Sequence, residues 1–552
     1  MQKFNWKKIS TAPQYQEFYQ ELKDLCKYDE LETNIQTYEA YSLYKKIGDR
    51  TAYETPYHRR RRRLSSLVIM YLSNESEEYL TRIQNLIWEI CNEYVWAVPA
   101  HISGAQTDGE RRAIIDLFAA QTGFDLSETY NLIGDKLDEE VKERIKSEIK
   151  LRIVDKFISG KFWWEEAKMN WASVCAGFVG ATFINMFPEL FPKVRERIDG
   201  AMKSFISGFN NDGACLEGVS YWFYGFGLFC LYHDYLSRVD KTALDIFKDE
   251  KIHNISRFYT YACLEDAIAL TFADCQPNAR YDIATMFFLR GIYGDEIKIP
   301  PVKYRILMDR CSLYTTKNLF ERYNPAEVSD GIDNFKHVFP DSEMYSMKNS
   351  KFSFAAKGGH NDEPHNHNDV GSFLVVRGGE QLLCDIGVGF YNKDYFNDNI
   401  RYTMIGNGSH GHSVPIVNGK YQLAGKEYRA TDVSISENEI SMDIAKAYGI
   451  SGHIYRNFKI GDDSIVLHDS FELEQAESII ERFVSYVKPE IKDGLLVWNG
   501  MQLKFDGSAL ECSISSEKYK NNFKGIFDVW LIDLKVKNPA EKCDFEFEIK
   551  MV

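Results

Sequence analysis

The sequence predicts an α+β multidomain chain in which an N-terminal array of helical hairpins is followed by a C-terminal antiparallel β-sandwich. Three observations carry this expectation. From residue 14 to about residue 315, apolar positions recur with the 3.6-residue period of amphipathic helices. Beyond about residue 346 they alternate with a period of two and are punctuated by Gly, Asp and Asn turns. Between the two, residues 326–345 lose both periods in a run of Asn, Pro, Asp and Gly. The expected divisions are therefore a helical domain over 1–325, a linker over 326–345 and a sandwich over 346–552.

The helical part reads as about ten to twelve helices, among them QYQEFYQELKDLCKYDE, LSSLVIMYLS, EEYLTRIQNLIWEICNEY, NWASVCAGFVGATFINMF and RYDIATMFFLRGIY, each followed by a break. No exact repeat is visible, which favours a toroid of hairpins over a solenoid of strict period. The basic run Arg59 to Arg63 precedes the apolar SSLVIMYL and reads as the first turn and polar side of an amphipathic helix. In the second part KFSFAAKGG, SFLVVRGG, QLLCDIG, HIYRNFKIG, DSIVLHDSFEL, GLLVWNG, FDVWLIDLKVK and FEFEIKMV are strands, and two packed sheets are their natural closure.

At 552 residues the chain is long enough for two or three cores, since a single core seldom grows past about 250 to 300 residues. A formal charge of -15 argues against nucleic acid and anionic membrane as partners, because both select a basic face. Phe, Trp and Tyr make up 14% of the chain, a proportion met in clefts that stack sugar rings and in large aromatic cores alike. The eleven cysteines are scattered without CxxC or framework spacing and read as reduced core residues. The N-terminus lacks an apolar leader, and no run reaches the roughly 18 apolar residues of a membrane span, so a cytoplasmic protein is expected. Oligomeric state leaves no mark in the sequence.

The chemistry concentrates in residues 358–419. Five of the twelve histidines fall there (His360, His365, His367, His410, His412), together with Asp362, Asp369 and Asp385. Imidazole and carboxylate are the usual ligands of zinc, and His367, Asp385 and His412 are spaced to meet one ion. His365 stands two residues before His367. On a strand the pair shares a face, whereas a turn lets one bind metal and the other meet substrate. The alternative is a polar loop whose histidines only make hydrogen bonds. In the helical part, Asn170 opens an apolar helix, where an amide often serves as an N-cap. The segment DGACLEGVSYWFYGFG brings Asp212, Glu217, Tyr221 and Tyr224, whose tyrosines equally suit a core.

The strings HNHNDVGSF, LLCDIG with Asp385 eighteen residues after His367, and RYT…GHSVPIVNG resemble the C-terminal signature of the heparinase II/III-like polysaccharide lyases. Asn170-Trp171 and the Asp212-to-Tyr221 segment match that family's order in the helical half. Two departures stand out. Trp171 occupies a place where many members have His, and His412-Ser413-Val414 replaces His-Asn-Thr. The resemblance implies an incomplete (α/α) toroid followed by the sandwich, and β-elimination on an anionic, uronate-containing oligo- or polysaccharide of glycosaminoglycan or alginate type, leaving a C4-C5 unsaturated uronate end. It implies Tyr221 or Tyr224 as acid, with the base role also open to it, His365 as second base or carboxylate partner, and Asn170 as neutraliser of the uronate carboxylate. It also implies a mainly structural zinc on His367, Asp385 and His412, with no organic cofactor. Glu217, Arg401 and His101 fall on the substrate side, although Arg401 equally suits a loop brace and His101 a structural turn.

Two other readings stay open. One is a toroid glycoside hydrolase using Asp212 and Glu217, which needs two carboxylates about 5 to 9.5 Å apart across the bond. The other is a carbohydrate-binding protein without catalysis.

Overall fold

The structure, a computed structural model, describes residues 4–27, 36–265, 268–276, 282–301, 313–521 and 525–552. Parts of two expected helices, residues 28–30 and 280–281, lie outside the described residues. Helices fill the first part as the period requires. The innermost is Asn170–Met186, buried on nearly every side, packed against Leu117–Ile133, Arg195–Ser207 and Gly227–Leu236. A helix apolar all round is one with no solvent face to write in polar residues. Gly177 and Gly180 let its neighbours close in, since a Cβ there would stand 2.9 Å from the Leu228 carbonyl and 2.7 Å from the Tyr232 ring.

The arginine run departs from expectation. It lies in the middle of the helix Thr51–Asn74, and Arg60 and Arg61 are buried. Both pair with the buried Glu93, at 2.5 and 2.7 Å. Buried charge is tolerated when it is paired and hydrogen-bonded, and a polar residue count alone does not distinguish that case from a solvated face.

The sandwich begins earlier than the loss of helical period implies. Phe335–Phe339 and Met344–Lys348 are already strands, so the Pro340-Asp341-Ser342 signal marks a hairpin turn. These two form a five-stranded antiparallel sheet with Ser353–Lys357, Phe373–Arg377 and Glu380–Leu383. Its middle strands are buried on both faces, which explains why FSFAA and FLVV read as continuous apolar runs. One face, with Ala355, Leu374 and Val376, joins the core of the helices, while the other, with Phe354, Phe373 and Val375, joins the core of the sandwich. An eight-stranded and a four-stranded antiparallel sheet and the small pair His360–Asn361 with Gly425–Arg429 make up the rest of the second part. The strand expected at FDVWLIDLKVK is Gly525–Val536, and its neighbour Leu510–Asn521 was unanticipated because its polar, edge-like composition hid it.

The halves are stitched by specific bonds as well as by packing. Asp212 accepts from the Ser342 backbone N–H at 2.7 Å and its hydroxyl at 2.9 Å. Ser346 and Ser353 donate to the carbonyls of Tyr261 and Leu264. Among the described residues no helix is long and apolar enough to cross a membrane, and no disulfide forms.

Candidate active site and metal centre

Asp274 is the residue on which the site turns. It lies in an irregular segment after the short strand Ile268–Ala269 of the helical half, and Ala273 before it takes a φ of +60°. Its side chain is completely buried and meets five partners from the sandwich half. His365 Nδ1 lies 2.7 Å from Oδ2 and His367 Nε2 lies 3.0 Å from Oδ1. Arg401 approaches both oxygens at 3.3 and 3.4 Å, Tyr391 donates to Oδ2 at 3.1 Å, and Tyr395 donates to Oδ1. Burial alone would raise this carboxyl, but Arg401 and the two imidazoles hold it well below the usual carboxylate range.

An ionised carboxylate only accepts, so each imidazole must carry its proton on the nitrogen facing Asp274. His365 is left with a bare Nε2, and His367 with a bare Nδ1. The two rings reach one carboxylate from different directions because His365 adopts a left-handed φ of +61°. Such a backbone costs roughly 1 to 3 kcal/mol in a non-glycine residue and persists only where its surroundings enforce it. Arg401 provides part of that enforcement, donating to the Asn366 carbonyl between the two histidines.

Tyr221 stacks on the His365 ring, with centroids 3.9 Å apart and planes 21° apart, and its hydroxyl lies 2.9 Å from that of Tyr391. It ends the single helical turn Val219–Tyr221, followed by the wide π-type turn Trp222–Phe226, a distortion frequent at functional sites. Tyr224 packs against the helical core. Asn170 is buried, and Glu217 grips it through Oε2 on the side-chain amide at 2.6 Å and Oε1 on the backbone N–H at 3.1 Å. Burial pushes the Glu217 carboxyl up, opposed by the neighbouring His365 whenever its ring is protonated and by the two Asn170 bonds. That electrostatic coupling ties the Asn170 end of the site to the His365 end. Beside this loop a cavity of about 420 Å³ opens between the halves, lined by Gly218 and Val219 on one side and Lys357, His360, Asn366 and Arg429 on the other.

The remaining expected residues take supporting positions. Arg401 is 6% exposed and braces the loop through Asp274, the Asn366 carbonyl and the Tyr395 carbonyl. His101 binds Asp116 at 2.7 Å and lies edge-on to Trp171 at 4.8 Å, next to Asn170 but turned to its own carboxylate. Asp212 is committed to Ser342, which leaves a pair of catalytic carboxylates at Asp212 and Glu217 without an available first member.

A second cluster adjoins the first through His367. His367, Asp369, Asp385 and His412 are fully buried, and one donor atom from each lies within 4.8 Å of all the others. Nδ1 of His367 and Oδ2 of Asp369 have no hydrogen bond in the structure, and Nδ1 of His412 and Oδ2 of Asp385 meet only each other, at 3.2 Å. Buried donor atoms gathered in this way, two of them with no partner at all, are costly as they stand. The outer atoms are taken: His367 Nε2 by Asp274, His412 Nε2 by the Gly406 carbonyl at 3.2 Å, and Asp369 Oδ1 by Lys357 at 2.7 Å. Metal-bound imidazoles are held in this way from their far nitrogen, so the donor set fits a cation. Asp369, inside the HNHNDVGSF string but not among the three expected ligands, is the fourth donor. Ser413 needs no asparagine amide to be fixed, since its carbonyl accepts from Arg456 at 2.7 Å and its hydroxyl from the Val484 N–H at 3.1 Å.

The comparison with solved structures decides the fold. A heparinase III superposes with TM-score 0.61 at 15% identity over 100% of this chain and 85% of that one. This is the toroid-plus-sandwich lyase fold. A heparan sulfate lyase of Pedobacter heparinus shares it at TM-score 0.56 and 12% identity, covering 100% of this chain and 91% of its own. A chondroitin AC lyase of Streptomyces coelicolor A3, in complex with chondroitin sulphate, does so at TM-score 0.56 and 11% identity over 99% and 82%. No known family profile matches the sequence. No curated protein sequence matches it either. Likeness to the lyase fold is therefore carried by backbone shape, and any chemistry rests with the side chains.

Proposed function

We propose that the protein is a polysaccharide lyase that cleaves uronate-containing oligo- or polysaccharides by β-elimination. The observation that carries this reading is the stack of Tyr221 on His365, with the His365 tautomer set by Asp274 and Asn170 held by Glu217 nearby.

The C5 proton of a uronate is hard to remove because the resulting carbanion lies beside an ionised carboxylate. An amide donor aimed at that carboxylate stabilises the enolate-like intermediate in the manner of an oxyanion hole, and Asn170 is the residue for that task. His365 Nε2, bare because Nδ1–H is committed to Asp274, takes the C5 proton. The Tyr221 hydroxyl gives its proton to the glycosidic oxygen as the C4–O bond breaks, and the C5–H electron pair becomes the C4-C5 double bond. Each positioned proton transfer contributes typically about 10²- to 10⁴-fold.

His367, Asp369, Asp385 and His412 would hold a metal ion, and zinc matches their nitrogen and oxygen donors. A cation bound there would supply positive charge that holds His367 and, through it, the loop carrying His365. The proposed base stands two positions before His367 of this centre, so loss of the ion would act through position.

A panel of glucuronate-, iduronate-, mannuronate- and guluronate-containing glycans, followed by ultraviolet absorbance, tests the reading. Appearance of a conjugated unsaturated uronate supports it. Cleavage that yields only saturated ends, or binding without cleavage across the panel, ends it.

A further inference from the structure

We propose that Tyr391 is a positioning residue that strengthens Tyr221 as the proton donor to the departing sugar, a role that rests on the lyase reading above. Tyr391 lies in the loop that follows the strand Glu380–Leu383. Its hydroxyl bridges two groups, 2.9 Å from the Tyr221 hydroxyl and 3.1 Å from Asp274 Oδ2.

The direction of this chain follows from proton counting. Asp274 has Arg401, His365, His367 and Tyr395 around it as donors and itself only accepts. Tyr391 has one proton, and at rest that proton points to Asp274. The Tyr391 oxygen is then the acceptor of the Tyr221 O–H. Its ring is held in place between Tyr395, with centroids 4.8 Å apart, and Phe396, at 4.9 Å.

During elimination the Tyr221 proton passes to the glycosidic oxygen, and Tyr221 is left as a phenolate beside Tyr391. The Tyr391 O–H then turns from Asp274 to that phenolate, with no bond made or broken at Tyr391 itself. Asp274 keeps its other four donors, so the turn does not strand a buried charge. An O–H bond to a phenolate is charge-assisted and about twice as strong as one between neutral groups. Because it arises only once the proton has left, it lowers the barrier and not the ground state.

The test is leaving-group dependence. Two substrates are compared: the simplest uronate oligosaccharide that the wild type cleaves, and the 4-O-(4-nitrophenyl) derivative of the same uronic acid, whose leaving group needs little protonation. Tyr391→Phe is expected to lower kcat on the oligosaccharide by about 10- to 100-fold with KM little changed. On the nitrophenyl derivative the same variant approaches wild type. Tyr395→Phe, which also removes a donor from Asp274 but has no described contact with Tyr221, is expected to slow both substrates alike. Melting curves of both variants confirm that they fold. An equal loss on both substrates for Tyr391→Phe, or wild-type kcat on the oligosaccharide, overturns the proposal. A wild type that yields no unsaturated product from either compound removes the lyase reading, and this role with it.

Discussion

Glu217 grips Asn170 at two points, taking its side-chain amide at 2.6 Å and its backbone N–H at 3.1 Å. A carboxylate presents two acceptors, whereas a carboxamide presents one acceptor and one donor. Glu217→Gln therefore sets an NH2 group against an N–H and releases Asn170 from its fixed orientation. Hydrogen bonds to a charged group are worth about 1.5 to 3 kcal/mol, so kcat is expected to fall roughly 10- to 100-fold while the unsaturated product persists. A Glu217→Gln enzyme with wild-type turnover would remove Asn170 orientation from the mechanism.

The two tyrosines separate cleanly. Tyr221→Phe keeps the stack on His365 and loses the hydroxyl, so turnover is expected to drop by about 10²- to 10⁴-fold with the fold intact. Tyr224→Phe, in a side chain packed against the helical core, is expected to register in melting temperature more than in kcat. The reverse pattern, measured on the same substrate, would move the acid to Tyr224.

Metal content is directly measurable. Elemental mass spectrometry of protein purified without chelator is expected to find zinc in near-stoichiometric amount, lost in His412→Ala and reduced in Asp369→Asn. Ligand present at about 100 to 1,000 times Kd stabilises a fold by roughly 3 to 4 kcal/mol, so a strong chelator should lower the melting temperature by several degrees. Identical melting with and without chelator, in protein that carries no metal, would leave the four donors as a hydrogen-bonded core.

Asp125 gives the fold a pH dependence remote from the site. Burial pushes its carboxyl from 3.8 to about 7, against the hydrogen bonds from the Leu313 N–H and Gln121. Between those values the folded chain holds a proton that the unfolded chain has released. The resulting stability is complete below the unfolded pKa and is lost as pH rises through the folded one. Asp125→Asn is expected to gain on the wild type in urea melts from pH 4 to pH 7, with a constant difference above. A difference that does not change with pH would mean that Asp125 is ionised throughout.

The sequence made the sandwich half of the site legible because its ligands are compressed into a short stretch of unusual composition. His367, Asp385 and His412 announce themselves by residue type, and His365 by its place beside them. Asp274 did not. It is a single acid in the run ALTFADC, where an apolar neighbourhood says only that the backbone is buried. What marks it out is the set of cations and hydroxyls that meet it from more than 90 residues away along the chain. Tyr391 was hidden for the same reason, among ordinary aromatics of a loop. Glu217 was noticed, but its service to Asn170 is a contact across 47 positions that no local pattern encodes. The early start of the sheet at Phe335 was missed because a hairpin turn and a linker use the same residues.

Ala273 and Asp274 come from one half of the molecule, and every counter-charge on that carboxylate comes from the other. Parting the halves along this seam would expose a lone anion on one lip and strip an arginine and two imidazoles of their partner on the opposite lip. Access to the cavity beside it therefore has to leave this joint closed. A clamshell motion at this edge would dismantle the reactive groups each time it opened.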